Sequence, residues 1–394
     1  MNGGESDVEK TVTEIWYSTL LSEGTYQCLR ASLLELTGLT SAENLLSNTA
    51  GLIRVEELQF QQLQDVWKTW LGLRVTGTKW IRKQREELMK NQLYSPYTEN
   101  VPAQHAASAK RWIEQGVFKR TPGPTFAENP TMTGVDSKAR YAPYSYSVPE
   151  SVFPFSGWDY QQVKKFKSCN CLVTMYGDYI ECILRNTLKM FSKKQISVQV
   201  ILSDCMDIQQ HLEVNTLYDR ILTSNLMDYL FLPNLLKLCS EMLNHDNDQA
   251  TIITETILWS DSIMPEGDVS WPPNMTRLAK LTKFASEDTK RSFFANDGGI
   301  SVREYLDNSR EFLNYLRAMF YAYRLHKVAE SKSTATKSTI PGIKELANEF
   351  KLQLRDGIRN ENRIVFYKPA INRRRVNFMM GSERFLEWIP LKKE

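Results

Sequence analysis

The sequence lacks the features by which membrane, secreted and zinc-binding proteins are recognised. No apolar run reaches the roughly 18 residues that a transmembrane helix needs. The N-terminal residues MNGGESDVEK are polar and acidic, without the apolar core of a secretory signal. Cys169 and Cys171 form a CxC rather than a CxxC pair, and the four histidines show no HxH or HExxH spacing. We therefore expect a reduced, cytoplasmic protein without a membrane contact or a metal site.

The sequence also has little net charge, at +3 over 394 residues. Charge of this size gives no global attraction for nucleic acid. The densest local basic run is Arg373, Arg374 and Arg375, which could bind RNA or an acidic partner. We favour the simpler interpretation that these arginines guard an exposed edge strand, and we expect nucleic acid not to be a partner.

The clearest pattern in the chain is a series of short apolar runs that each end in small or polar residues. These runs are Leu172–Met175, Val198–Leu202 and Tyr218–Leu222. Apolar residues at helical spacing follow the first run, and the β-branched segment Ala250–Leu258 predicts a further strand. Strands alternating with helices predict an α/β fold with a Rossmann-like, class I methyltransferase-like, mainly parallel sheet.

The composition changes along the chain and predicts three regions. Residues 1–120 are predicted to form a helical N-terminal region, and residues 121–157 a packed, extended connector. Residues 158–394 are predicted to form the Rossmann-like α/β domain, with helices at about 275–354. Two strands, Arg363–Tyr367 and Val376–Met380, are expected to close this sheet as a C-terminal antiparallel hairpin at 363–380.

Four polar or small residues follow the predicted strands and are candidates for a cofactor site. They are Gly177, Asp178, Asp204 and Asn225. A glycine turn after the first strand and an acid after the second are typical of nucleotide and S-adenosylmethionine sites. Against this, GxGxxG is absent, and few residues separate Asp204 from Asp219. Asp178 also suits a helix N-cap and Asp204 a turn. No nucleophile–base pair can be named, and we favour the structural interpretation.

Three stretches together resemble one family. They are EIWYSTLL at Glu14–Leu21 with LQFQQLQDVWKTWLGL at Leu58–Leu73, GDYIECILRNTL at Gly177–Leu188, and YDRILTSNLMDYLFLPNLL at Tyr218–Leu236. These stretches resemble the axonemal dynein preassembly factors of the dynein assembly factor 3 family. They also resemble the related domain of unknown function in fungal MYND-finger proteins, although this chain lacks the Cys/His set of a MYND finger. The positions that match the family's recurrent residues are Gly177, Asp178, Asp219, Thr223, Ser224, Asn225 and Asp228.

The resemblance implies a methyltransferase-like sheet without an established activity. It also implies a cytosolic role in assembling dynein complexes for cilia, together with dynein chains and chaperones. We therefore expect a non-enzymatic assembly or adaptor protein without a cofactor. The alternatives are an S-adenosylmethionine-dependent methyltransferase or other adenosyl-ligand binder, and an RNA-binding protein that uses Arg373–Arg375.

Overall fold

The structure is a computed structural model that describes ten stretches of the chain. These are residues 5–76, 103–118, 127–134, 145–146, 163–166, 171–259, 315–323, 347–355, 364–365 and 384–391. The described residues form two compact units, which divide between Ser203 and Asp204. The boundaries predicted at residues 120 and 157 stay predictions. Across the described stretches, no helix is both long and apolar enough to cross a membrane.

The described part of the first unit is mainly helical. Its α-helices are α1 Glu5–Tyr17, α2 Glu23–Gly38, α3 Ala42–Asn48, α4 Glu57–Thr76, α5 Ala106–Gln115 and α6 Leu172–Ser192. Its strands are β1 Leu20–Leu21, β2 Ile53–Arg54, β3 Ala127–Glu128, β4 Thr133–Gly134, β5 Ser145–Tyr146 and β6 Val198–Gln199. The β1–β3 and β4–β5 pairs are antiparallel, whereas β2 and β6 pair in parallel.

Helix α6 corrects one of the strand predictions. The apolar run Leu172–Met175 is the first turn of this 21-residue helix and not a strand. Buried residues lie on several sides of its first half, from Leu172 to Glu181. A helix that is buried on several sides has no polar stripe, so a short apolar run within it has the same sequence pattern as a buried strand.

The first helix packs against α6 through a small aromatic cluster. The ring centroids of Tyr17, Phe118 and Tyr176 lie 5.3–5.9 Å apart, which is the range of favourable edge and tilted contacts. The Tyr17 and Tyr176 hydroxyl oxygens are 3.4 Å apart. These buried rings fix α6 in the core of the first unit.

The second unit contains a mixed sheet. Its elements are β7 Arg220–Leu222, α7 Leu232–Met242, β8 Thr251–Thr256, β9 Leu352–Leu354, β10 Ile364–Val365 and β11 Arg384–Pro390, with helical residues also at 315–323. Strand β11 lies between β8 on one side and both β9 and β10 on the other, antiparallel to all three. Strands β7 and β8 pair in parallel.

The chain is therefore a mixed α and β protein, whereas a mainly parallel Rossmann-like sheet is not confirmed. Of the four pairings in the described part of the five-stranded sheet, one is parallel. The strands β7, β8 and β10 lie within runs that the sequence predicts as strands. Val198–Leu202 contributes β6 to the first unit and not to this sheet. The predicted strand Val376–Met380 lies outside the described residues.

Helix α7 and the helical residues 315–323 supply apolar side chains to the core of the second unit. Leu232, Leu236, Ile252, Phe320 and Trp388 are completely buried in one cluster. The sequence predicts β8 correctly because its β-branched residues suit a strand that is buried on both faces. Burial of this cluster stabilises the sheet that carries the Tyr218–Asp228 segment.

Candidate functional site

The first half of the predicted cofactor site does not form a turn. Gly177 is buried inside α6, so it does not follow a strand, and the predicted glycine turn is wrong. A Cβ atom added at Gly177 would lie 3.5 Å from Cε1 of Phe118, which is an ordinary contact. Asp178 lies in the same helix and is not its N-cap, because that position is Cys171. Both residues belong to the first unit, whereas Asp204 and Asn225 belong to the second.

Asp204 is the N-cap of a short 3₁₀-helix, Cys205–His211. Its carboxylate accepts a hydrogen bond of 2.9 Å from the backbone N–H of Met206. Capping of this kind satisfies a backbone donor that would otherwise lack a partner inside the helix. Asp204 therefore has a structural role in a turn, which is the alternative to cofactor binding that the sequence indicates.

Asp219 holds the loop between α7 and β8. Its Oδ1 atom accepts hydrogen bonds of 2.8 Å from Asn247 Nδ2 and 2.9 Å from Asn244 Nδ2. These two hydrogen bonds, that from Asn247 first, hold the pKa of the Asp219 carboxyl below its usual value. The Asp219 carboxylate, at the start of β7, is therefore hydrogen-bonded within the fold.

The end of β7 is followed by Thr223, Ser224 and Asn225, which lead into a short 3₁₀-helix. The backbone N–H of the buried Thr223 donates to the Ile253 carbonyl oxygen at 3.0 Å, which extends the β7–β8 pairing. Ser224 has a φ of 48° and begins the 3₁₀-helix Ser224–Asp228. Asn225 lies within this helix and is half-buried, with its Oδ1 atom 3.5 Å from Ser224 Oγ.

Asp228 closes the end of β8. Its carboxylate accepts hydrogen bonds from the Thr256 hydroxyl and from the backbone N–H groups of Ile257, at 2.7 Å, and Leu258, at 3.3 Å. Burial raises the pKa of the nearby Tyr315, and the negative charge of Asp228 raises it further. Asp228 therefore stabilises the strand end directly after the last β8 residue.

The EIWYST string in the first unit has an equivalent structural role. The buried Glu14 carboxylate accepts from Ser22 N at 2.6 Å, Ser22 Oγ at 2.8 Å and the Thr25 hydroxyl, at the start of α2. Ser18 Oγ accepts from Phe118 N at 2.8 Å. Thr19 Oγ1 donates to the Gly116 carbonyl oxygen at 2.8 Å. These contacts join α1 to α2 and to the segment after α5.

Asn129 is a buried polar residue that sequence analysis missed. Its Nδ2 group donates to the carbonyl oxygens of Ile15 at 2.7 Å and Ser18 at 2.8 Å, at the end of α1. Its Oδ1 atom accepts from Thr131 N at 3.0 Å. Because Ile15 and Ser18 lie more than a hundred positions away in the chain, no local sequence signal could have indicated these two contacts.

Ser240 and His245 form a serine–histidine contact that resembles a nucleophile–base pair. Ser240 Oγ lies 3.2 Å from His245 Nε2, but the hydroxyl donates to the Phe350 carbonyl oxygen at 2.6 Å. His245 Nε2 is also 2.8 Å from the Ser240 carbonyl oxygen, so it must donate there and cannot accept a proton from the hydroxyl. This pair caps the end of α7 and does not suit nucleophilic catalysis.

The Cys171 thiol lies beside a positive charge. Its Sγ atom lies 3.5 Å from Arg111 Nη2, at the N-cap of α6. Burial raises the pKa of the Cys171 thiol, but hydrogen bonds from Thr174 and the charge of Arg111 outweigh burial and hold it below its ordinary value. Burial raises the pKa of Cys239 to about 12.

Within the described stretches, no three His, Cys, Asp or Glu side chains lie close enough to hold one metal ion. Arg373, Arg374 and Arg375 lie outside the described residues, so the basic patch stays a prediction. The polar residues of the Tyr218–Asp228 segment come together around β7 and β8, where they bind the chain itself.

Comparisons of the chain with models of protein families, with curated protein sequences and with solved structures returned no match.

Proposed function

We propose that this chain is a non-enzymatic assembly or adaptor protein that acts through protein partners in the cytoplasm. One observation supports the proposal: polar residues in two of the stretches that carry the family resemblance bind the chain's own elements. These residues are Glu14, Ser18, Thr19, Asp219, Thr223 and Asp228.

The hydrogen bonds of these residues give the stretches a role in folding that requires no catalytic function. Leaving a buried donor or acceptor without its partner costs about 1–3 kcal/mol. This cost applies to the buried residues Glu14, Ser18, Thr19 and Thr223, whereas Asp219 is exposed and its contacts contribute less. A general acid or base must instead reach a substrate proton with a free lone pair or hydrogen. Asp228 accepts three donors from Thr256, Ile257 and Leu258, so its carboxylate is occupied by the fold.

In this proposal, a methyltransferase-like sheet supports the fold and binds no ligand. The methyltransferase-like interpretation predicts a mainly parallel sheet, and the parallel β7–β8 pair is the part of the described sheet that agrees with it. The position of Gly177 within α6 counts against an adenosyl ligand, because the expected approach of a ligand to a glycine turn has no counterpart there. The proposal therefore includes no cofactor.

The partners in this proposal are dynein chains or chaperones, as the family resemblance implies. The test is affinity purification of the tagged full chain from cells that are building cilia, with quantitative mass spectrometry against a tag-only control. We expect axonemal dynein chains or cytosolic chaperones to be enriched. The absence of both classes from the enriched proteins would contradict the proposed partners.

A second experiment separates this proposal from the ligand-binding alternative. Titration calorimetry of concentrated protein with S-adenosylmethionine should give no saturable heat. A saturable heat that the Asp204→Ala variant loses would instead support an adenosyl site. An RNA mobility shift that weakens with salt and is lost when Arg373–Arg375 are replaced by alanine would support RNA binding.

A further inference from the structure

The second half of α6 and the residues that follow it carry positive charge and no negative charge. Between Glu181 and Asp204 the chain contains Arg185 and three lysines, but no aspartate or glutamate. Lys189, Lys193 and Lys194 are all exposed. This concentration of one sign is local, because the whole chain has a net charge of only +3.

Large apolar side chains are exposed among these basic residues. Ile183 is 44%, Leu188 39% and Met190 43% exposed. Ile183 and Met190 are seven residues apart and share one face of α6, whereas Leu188 lies on the opposite side of the helix. We call the five side chains on or beside that face the basic–apolar surface: Ile183, Lys189, Met190, Lys193 and Lys194. Exposed apolar side chains that lie together and are flanked by charge are typical of interaction sites.

The three lysines of the basic–apolar surface make no ion pair within the described residues, whereas the neighbouring Arg185 does. Arg185 Nε lies 3.2 Å from Oε1 of the buried Glu9, and this contact joins α6 to α1. The charge of Arg185 therefore stabilises the fold, while the charges of Lys189, Lys193 and Lys194 are available for a partner.

Lys194 follows Lys193, the residue that caps the end of α6. Lys194 has a φ of 55°, in the left-handed region where glycine is the favoured residue. Its N–H donates to the Phe191 carbonyl oxygen at 2.8 Å, as expected for the residue that ends a helix. A lysine at such a position costs stability that glycine would not.

We propose that the basic–apolar surface of α6 binds an acidic amphipathic helix of a partner protein. Ile183 and Met190 are about 10 Å apart along the helix axis, since each residue rises about 1.5 Å. This length matches two turns of a partner helix whose apolar face covers the exposed side chains. Acidic residues beside that face would meet Lys189, Lys193 and Lys194. The inference rests on the proposed adaptor function and names the chemistry of one partner.

A membrane surface fits these residues less well than an acidic protein helix. Membrane-surface helices insert aromatic and leucine side chains well below the headgroups. In the second half of α6 the aromatic residue, Phe191, is half-buried in the fold, and the exposed apolar side chains are partly covered. Their limited exposure suits contact with another protein's side chains rather than insertion into lipid.

The test uses the full chain and a fluorescent synthetic helix that has leucines at helical spacing and glutamates at the other positions. Fluorescence anisotropy should show saturable binding at low salt that weakens as salt is added. The Lys189→Glu/Lys193→Glu double variant should bind this peptide about tenfold more weakly or worse, because it places like charges opposite each other. A peptide with lysine in place of glutamate should bind the wild-type chain poorly and the double variant better.

A matched control makes the same charge change at two lysines outside α6. Lys68 on α4 and Lys237 on α7 are also exposed, and the Lys68→Glu/Lys237→Glu variant should bind the acidic peptide as the wild-type chain does. Circular dichroism checks that both variants are folded. If the reversal on α6 unfolds the chain, Lys189→Gln/Lys193→Gln provides the milder substitution, with a smaller loss of binding expected.

Three results would overturn the proposal. They are equal affinity of the two double variants, equal affinity of the acidic and basic peptides, and binding to phosphatidylcholine–phosphatidylserine vesicles in place of the peptide. Failure here with continued enrichment of dynein chains or chaperones would leave the adaptor function intact through another surface. Charge-dependent peptide binding without that enrichment would retain this surface and remove the dynein-related partners.

Discussion

The two halves of α6 differ in almost every property except their backbone. The first half, Leu172 to Glu181, is buried among other elements, and Met175 is only 1% exposed. The second half carries exposed Ile183, Leu188 and Met190, and its end carries exposed lysines. One continuous helix thus provides both part of a core and an outward surface. The difference shows that a single element can be divided between folding and recognition.

The largest difference between the two halves is expected in the stability of matched methionine variants. Met175→Ala should lower the free energy of unfolding by about 2–5 kcal/mol, because it leaves a cavity in a packed interior. Met190→Ala should change it by less than about 1 kcal/mol, since its side chain already contacts water. Urea unfolding followed by circular dichroism measures both. Equal costs would show that the second half is also part of a core.

A substitution at the C-terminal end of α6 should increase the stability of the chain. Lys194→Gly should raise the free energy of unfolding by about 1 kcal/mol, because glycine adopts the left-handed backbone without steric cost. The control is Lys193→Gly, at a residue with a φ of −85°, where glycine should give no gain. If both glycine variants lost stability in thermal or urea unfolding, the left-handed end of α6 would be wrong.

A smaller gain in the free energy of unfolding is expected from a substitution in the first half of α6. Gly177→Ala should raise the free energy of unfolding by about 0.5–1 kcal/mol, since alanine favours the helix interior and its Cβ atom meets Phe118 without a clash. The control is Gly116→Ala, which should destabilise the chain. Gly116 has a φ of 64°, and a Cβ atom there would lie 2.0 Å from Thr19 Oγ1. A loss of stability in Gly177→Ala would favour the turn that the sequence predicts.

The smallest effect concerns the thiol at the start of the first half. A lowered pKa increases the thiolate fraction at a given pH, so iodoacetamide should modify Cys171 at lower pH than an ordinary thiol. Arg111→Gln should move this profile to higher pH and slow the reaction at pH 7 by a few-fold. Mass spectrometry reports the modification, with the buried Cys239 as the unreactive control. An unchanged profile in Arg111→Gln would remove the arginine's role.

The sequence predicts regular elements best where one physical effect dominates. The β-branched run around Ile252 and Ile253 forms β8, and helical spacing in the second half of α6 predicts a helix correctly. The first turn of α6 was predicted as a strand because Leu172 and its neighbours are buried on several sides, which removes the helical periodicity. Strand β11 was missed, although its Trp388 is completely buried.

The sequence indicates which residues belong to the candidate site, but it does not indicate what they contact. The acidic and hydroxyl residues of Tyr218–Asp228 were identified, but their partners were not. Asp228 binds Ile257 N, 29 positions away, and Asp219 binds Asn247, 28 positions away. Hydrogen bonds across such separations depend on how strands align and leave no periodic pattern in the sequence.

The position of β11 in the middle of its sheet has a consequence for synthesis. Trp388 Nε1 donates to Thr254 Oγ1 at 3.1 Å, although 134 positions separate the two residues. A ribosome that adds about 5–20 residues per second needs on the order of ten seconds to make the intervening chain. During that time one edge of β8 lacks its strand, and the side chains that pack on Trp388 lack their cover. The newly made chain therefore exposes an unpaired strand edge and apolar side chains until β11 has been made.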